Sequence, residues 1–380
     1  MRVGFSSAIC AVPIIAIAVW LATVGPADAA RFRTVYAATS GSLDPEIGAT
    51  GNGALYVVDP IHGTYGQGAV FALKGRTLNL LYSFTGSSDG GTPNRRLQIG
   101  ARGELFGTTR SGGAGSGGTI FRLTRTGALT TLYAFESATG VIPYDGLAEG
   151  PHGTFFGTAS QGANSPGNGT IVSGTAAGGF SVLYYFLSMQ DGHCPFTGVV
   201  RDAAGNLFGT TVGFGFGGQP QGSVFEYTAA GQLNTLYSFT DGEDGEWPQI
   251  TPTLDASGNV WGVSAVQNGG QYAGAVWSIE SSGFSVRYAF GGSGDGWQPN
   301  GPLLLARNGV FYGTTVGGGR GEGSSGYGTV FSITSSGAFT TVHAFRGRRD
   351  GAYPTGRLVQ AADGKIYGGT QSGTIFAITP

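Results

Sequence analysis

Beyond residue 30 the apolar positions come in short bursts separated by glycine, serine, asparagine and aspartate. Leu105-Phe106-Gly107-Thr108-Thr109 is one burst. A glycine-rich gap follows, then Gly118-Thr119-Ile120-Phe121-Arg122-Leu123, a turn at Gly127, and Thr131-Leu132-Tyr133-Ala134-Phe135. The bursts are rich in Val, Ile, Phe, Tyr and Thr, which suit a pleated strand. Glycine interrupts every candidate helical window, so no amphipathic helix is predicted. In the third burst Tyr133 and Phe135 face one way and Leu132 and Ala134 the other. Both faces are then apolar or small, as in a sheet covered on both sides.

The bursts repeat. The first recurs seven times, at Leu55-Tyr56, Leu105-Phe106, Phe155-Phe156, Leu207-Phe208, Val260-Trp261, Phe311-Tyr312 and Ile366-Tyr367. The spacing is about 50 residues, in the range of propellers and similar arrays. A Gly-small-apolar-aromatic burst follows each, starting at Gly68, Gly118, Gly169, Gly222, Gly274, Gly328 and Gly373. The Tyr-x-Phe burst follows only six times, ending at Phe84, Phe135, Phe186, Phe239, Phe290 and Phe345 (where His343 replaces the tyrosine). Its seventh copy lies at the other end, in Thr34-Val35-Tyr36-Ala37-Ala38.

A closed ring requires this arrangement. Residues 34–38 should pair with 373–378 and complete the last unit, whereas an open solenoid would need capping units. A shorter strand precedes each first burst, at residues 96–99, 146–149, 198–201, 253–255, 303–305 and 357–360, with a weaker version at 46–49. Four strands per unit and seven units predict an all-β, seven-bladed β-propeller of antiparallel blades. A parallel β-helix is the competing glycine-rich fold. Its repeats are usually shorter, and it has no need of the displaced strand.

Turns such as Ala204-Gly205-Asn206 and Arg125-Thr126-Gly127 are tight hairpin connections. The loops between the second and third strands, such as 212–221 and 316–327, are long, as are the connections between blades. In a four-stranded meander those two sets emerge on one face, where a ligand is expected.

Composition adds bounds. There are 73 glycines in 380 residues, and aromatic content at 12% with an ordered repeat excludes disorder. A net charge of −2 gives no electrostatic footprint for nucleic acid or an anionic membrane. Residues 1–29 form a secretory leader: Arg2, an apolar run over 9–24, and Ala27-Asp28-Ala29 as a cleavage site. The alternative, an uncleaved anchor, fits that small-residue site poorly. Residues 30–380 then form one exported domain, secreted, periplasmic or at the cell surface. It holds the single cysteine Cys194 and hence no internal disulfide. No later segment approaches membrane-spanning length.

The repeat resembles the choice-of-anchor tandem repeat family called GloVer, found in exported bacterial proteins. The resemblance is carried by Asp-Gly-x-x-Pro, Gly-x-Leu-Tyr-Gly-Thr-Thr, Gly-Thr-Val-Phe and Leu-Tyr-x-Phe, closely matched at 205–211, 309–315 and 328–331. It covers nearly all of the mature chain and implies an exported repeat domain without assigning an activity. This chain ends on a strand, where the family carries varied anchors.

Candidate chemistry lies in the connections. Asp89, Asp191, Asp244, Asp295 and Asp350 open Asp-Gly-x-x-Pro segments, and Thr139 replaces the aspartate once. A ring of carboxylates at the channel mouth would suit Ca²⁺. A recurring aspartate is more simply an acceptor of backbone N–H bonds in a turn, within 294–297 for Asp295, and no metal is expected. Trp247, Trp297, Phe196 and Tyr353 lie in or beside the connections and would stack on sugars or fill gaps between blades. His62 and His193 map to the loop-bearing face, and His152 to the opposite one. No His-x-x-x-His, cysteine pair, Gly-x-Ser-x-Gly or P-loop is present.

The expected function is an exported, non-catalytic binding or scaffold module. It is a monomer without cofactors that takes a cell-surface glycan or protein on the loop-bearing face through Trp247, Trp297, His193, Tyr353 and His62. The alternative is a lyase or hydrolase, by analogy with propeller lyases such as the streptogramin lyases. It would pair His62 or His193 with Glu243 or Glu246 at the channel mouth.

Overall fold

A computed structural model describes residues 31–38, 43–162, 168–187, 192, 194–213, 222–240, 244, 248–264, 267–268, 271–272, 274–291, 294–319, 326–347 and 350–380. Seven antiparallel meanders form the blades of a propeller. The sixth blade is representative: inner strand Leu304–Leu305, second strand Phe311–Gly317, third strand Thr329–Ile333 and outer strand Phe339–Ala344. In the second and sixth blades the connection itself, Gly91–Pro93 or Trp297–Pro299, also pairs with the second strand. Arg31–Ala37 is the outer strand of the seventh blade. It runs antiparallel to Thr374–Thr379, with Arg31 opposite Thr379 and Ala37 opposite Thr374.

The structure departs from expectation in two places. The inner strand of the first blade, Glu46–Gly51, is the longest inner strand rather than a weak one. Its pairing slips at Gly48, where an added Cβ would lie 2.8 Å from Leu97 Cγ of the next blade, and then continues through Ile47 to Glu46. The outer strands also do not alternate simply. Each carries an extra residue just before its tyrosine or histidine: Val35, Leu81, Leu132, Leu183, Leu236, Arg287 and Val342. Such a bulge turns two consecutive side chains toward one side. Leu81 with Tyr82, and Leu132 with Tyr133, accordingly pack on the same core cluster. The other side of these strands is not covered, and Leu80 is 50% exposed.

Each letter of the repeat has a physical duty. The glycine of Leu-Tyr-Gly-Thr-Thr lies opposite the aromatic of the third strand, as Gly313 lies opposite Phe331, and that ring covers the place of a side chain. The first threonine donates to a carbonyl of the next blade: Thr108 to Asp145 O at 2.7 Å, and Thr314 to Gly356 O at 3.2 Å. The second pairs its hydroxyl across the strands, Thr315 with Thr329 at 2.8 Å. The phenylalanine of Tyr-x-Phe meets the third-strand aromatic of the next blade edge-on, as with Phe290–Phe331 at 5.3 Å and Phe345–Phe376 at 5.3 Å. Fully burying such a ring contributes about 2 kcal/mol.

The connection proline completes the lock. Pro93, Pro143, Pro195, Pro248, Pro299 and Pro354 each lie against the glycine that opens the third strand of the preceding blade. Gly328 combines φ +89° with Pro354 Cδ only 2.6 Å from where a Cβ would stand. Gly309, in a hairpin turn at φ +76°, has nothing within 4 Å of that place. Gly309→Ala should cost about 1 kcal/mol, for backbone strain alone. Gly328→Ala should cost about 3 kcal/mol, since overpacking adds to the strain. Urea unfolding of both variants checks this. Equal losses would show that the glycine–proline seat does not hold the blades.

Candidate functional site

The recurring aspartates are bound within their own blade corners. Asp89 accepts from Tyr82 Oη at 2.9 Å, from the Thr85 amide at 2.9 Å and from the Thr85 hydroxyl. Asp244 repeats the pattern with Tyr237 at 2.8 Å and Thr240. Burial works against the charge of Asp89, but these donors outweigh it and hold the carboxyl below its ordinary range. Tyr82, Tyr237 and Tyr288 are pushed up to about 12 by burial and by the carboxylate each one serves.

Asp295 is likewise an acceptor, and among the described residues its donors come from upstream of 294–297. Its partners include Tyr288 Oη at 2.8 Å and the Gly291 amide at 2.7 Å, upstream in the corner. In the sixth blade His343 takes the tyrosine's place. Nε2 lies 3.2 Å from Asp350, and the ring stacks on Phe32 of the closing strand at 3.6 Å. Burial holds this histidine below its ordinary pKa despite Asp350. Among the described residues no three His, Cys, Asp or Glu side chains are grouped to hold a metal.

Of the residues singled out, Trp247 and His193, together with Asp191 and the alternative's Glu243 and Glu246, lie outside the described residues. Trp297 lies over Gly317 of its own blade. Tyr353 is 37% exposed and meets Tyr327 in an edge-to-face pair with ring centres 6.0 Å apart. Phe196 meets Tyr144, on which the Arg110 guanidinium sits at 4.0 Å. His62 is held by the fully buried Asp59, with Nδ1 2.9 Å from Oδ2. That carboxylate also accepts the amides of Ile61, His62 and Asp44. Cys194 is buried, and its thiol is pushed up to about 11 by that burial.

A group that motif reading missed lies where the inner strands begin. Glu46, Arg95, Arg96, Asp145, Thr251 and Arg357 come one to three residues after connection prolines, at the loop-bearing end of the channel. None of them recurs in every blade. Arg96 reaches from the second blade to Val199 O of the fourth, and Thr251 of the fifth donates to Asp145 of the third. Arg95 lies 2.7 Å from Glu46 Oε1, donates to Thr355 O at 2.9 Å and remains half-exposed. Glu46 is fully buried, and neither of its oxygens accepts a hydrogen bond among the described residues; Arg357 Nε likewise has no partner.

Burial pushes Glu46 up to about 8, with Asp44, Asp145 and Asp59 adding and Arg95 opposing. Arg357 is pushed down to about 10 by burial and by Arg96. The available signal in the sequence was position: charged residues just after the prolines of a chain that is only 11% charged.

On the opposite face a cleft of about 340 Å³ opens at the closure seam, between Arg33, Asn52, Asp363 and Tyr367. Lys365 and Tyr367 both hold Asp363 there.

The Glu46 shift has a definite sign. From the ordinary 4.5 up to about 8 the folded state binds a proton that the unfolded state has lost. Stability should therefore fall as pH rises through that window. Glu46→Gln should flatten the decline of Tm between about pH 5 and about pH 8. An unchanged slope in that variant would show that Glu46 is ionised throughout.

No curated protein matches the sequence. Solved structures match in shape. The extracellular domain of a protein designated a one-component system from B. thetaiotaomicron aligns with TM-score 0.58 at 9% identity, covering 91% of this chain and 40% of that one. This chain thus spans less than half of that protein's length. The WD40 β-propeller domain of Doa1 aligns with TM-score 0.53 at 11% identity, covering 92% and 96%. A gluconolactonase from Xanthomonas campestris aligns with TM-score 0.45 at 10% identity, covering 92% and 89%. At these identities the first two show the propeller fold alone, and the third carries no argument. The family model of the Gloeobacter/Verrucomicrobia repeat matches residues 30–218 and again 167–379. The chain therefore belongs to the Gloeobacter/Verrucomicrobia repeat family.

Proposed function

We propose that this chain is an exported binding module that takes a glycan on the loop-bearing face of the propeller. One observation carries the reading. The recurring carboxylates are held inside blade corners, whereas the charged residues that do not recur gather at one place, the channel mouth. Exposed Ile61, Tyr65 and Tyr353 belong to loops and connections of that same face. In the seventh blade strands Ile366–Gly369 and Thr374–Thr379 are joined by the short turn 370–373. The leader-like segment 1–29 supports export, and among the described residues no helix is long and apolar enough to cross a membrane.

A lyase or hydrolase reading draws on the Asp59–His62 pair. Asp59 equally serves the amides of its own turn, which accounts for the pair without chemistry.

A glycan array probed with residues 30–380 tests the proposal. It should show selective binding. Tyr353→Asn, which keeps a residue tolerant of the φ of +56° found there, should weaken that binding roughly tenfold, the scale of one lost aromatic contact. An array without signal, or turnover of an array glycan that His62→Asn abolishes, would contradict the binding module.

A further inference from the structure

We infer that the channel mouth holds the carboxylate of an acidic sugar, anchored by Arg95 and Arg357 above Glu46. The inference rests on the glycan-binding reading above and adds the chemistry of the ligand.

Arg95 is held by its Nε against Glu46 and by one Nη on Thr355 O, which fixes the plane of a guanidinium that is still 52% exposed. A fixed, planar guanidinium suits a carboxylate. Arg357, two residues beyond Thr355, brings a second guanidinium whose Nε is buried without a partner. Beneath them Glu46 is fully buried and accepts no hydrogen bond among the described residues. The inner strand of the first blade and two connections, those entering the second and the seventh blade, thus bring donors and a carboxyl together, and the repeat explains none of them.

The neighbouring charges narrow the ligand class. Asp44 and Asp145 border the site, so a doubly charged phosphate would meet two carboxylates. A single carboxylate avoids most of that repulsion, and the buried Glu46 adds none while it is protonated. Tyr353, exposed two residues before Thr355, offers a flat ring for the sugar itself.

Titration calorimetry of residues 30–380 with galacturonate, galactose, inorganic phosphate and a glutamate oligopeptide tests the inference. Galacturonate should bind saturably, and galactose and phosphate at least tenfold more weakly. Arg95→Gln, assayed below its own Tm where circular dichroism shows it folded, should lose at least tenfold in affinity for galacturonate. With the native protein, galacturonate affinity should also fall as pH rises through about 8, because Glu46 then ionises among Asp44, Asp59 and Asp145 with Arg95 and Arg357 opposing. Galactose binding as tightly as galacturonate, unaffected by Arg95→Gln, would overturn the inference and leave the glycan reading standing. Phosphate or the glutamate peptide binding more tightly would overturn it in favour of that class. Binding of none of the four would also overturn it, while the glycan array decides the broader reading separately.

Discussion

The seat of each connection proline on a glycine of the blade before it is the contact on which the rest of this structure depends. It sets where the next inner strand starts. That start places the threonine hydroxyls within reach of the neighbouring carbonyls, as Thr108 reaches Asp145 O. It also brings the aromatic of Tyr-x-Phe edge-on to the third strand of the following blade, as Phe84 meets Phe121 at 5.2 Å. The Tyr–Asp bond then closes the corner from which the connection leaves, joining Tyr82 to Asp89 and Tyr288 to Asp295. Each of these contacts is short in range. Six connections repeat the seat, and at the seventh junction the closing strand takes over, with Pro45 crowding Gly369 instead.

This division explains what the sequence disclosed. A contact required by every blade must appear in every repeat, so blade number, strand order and the displaced outer strand were legible in the spacing of Gly, Thr and aromatic residues. The bulge before each outer-strand tyrosine was not, because a single extra residue leaves the alternation of Leu132, Tyr133, Ala134 and Phe135 looking regular. The length of Glu46–Gly51 was hidden by the same effect at Gly48. The acceptor role of Asp295 followed from recurrence, but its partners did not. The tyrosine lies seven residues upstream, and only the folded corner brings it back.

The candidate site was the least legible part, for the converse reason. Glu46, Arg95, Arg96, Asp145 and Arg357 are separated by up to hundreds of residues and share no motif. The ring alone makes them neighbours, by starting all inner strands around one axis. His343 shows how the frame tolerates local change: it keeps the bond to the connection aspartate that tyrosine makes elsewhere, and stacks on Phe32 at the seam. Substitution within the frame preserves its contacts, whereas at the channel mouth the residues differ from blade to blade. That contrast is what points to the mouth, more than any single side chain there.

With the closing strand paired along its length, Arg31–Ala37 should be as integral to the ring as the strand it pairs with. Amide hydrogen exchange of the native protein measures this directly. An outer strand fixed by both its ladder and the stacked Phe32 should open only when the whole ring opens. The account predicts that the paired amides in residues 32–36 exchange as slowly as those of Phe376–Ile378, and that one urea concentration releases both. Fast exchange of residues 32–36 beside a protected Phe376 would show a ring that stands without its closing strand, and would contradict the account.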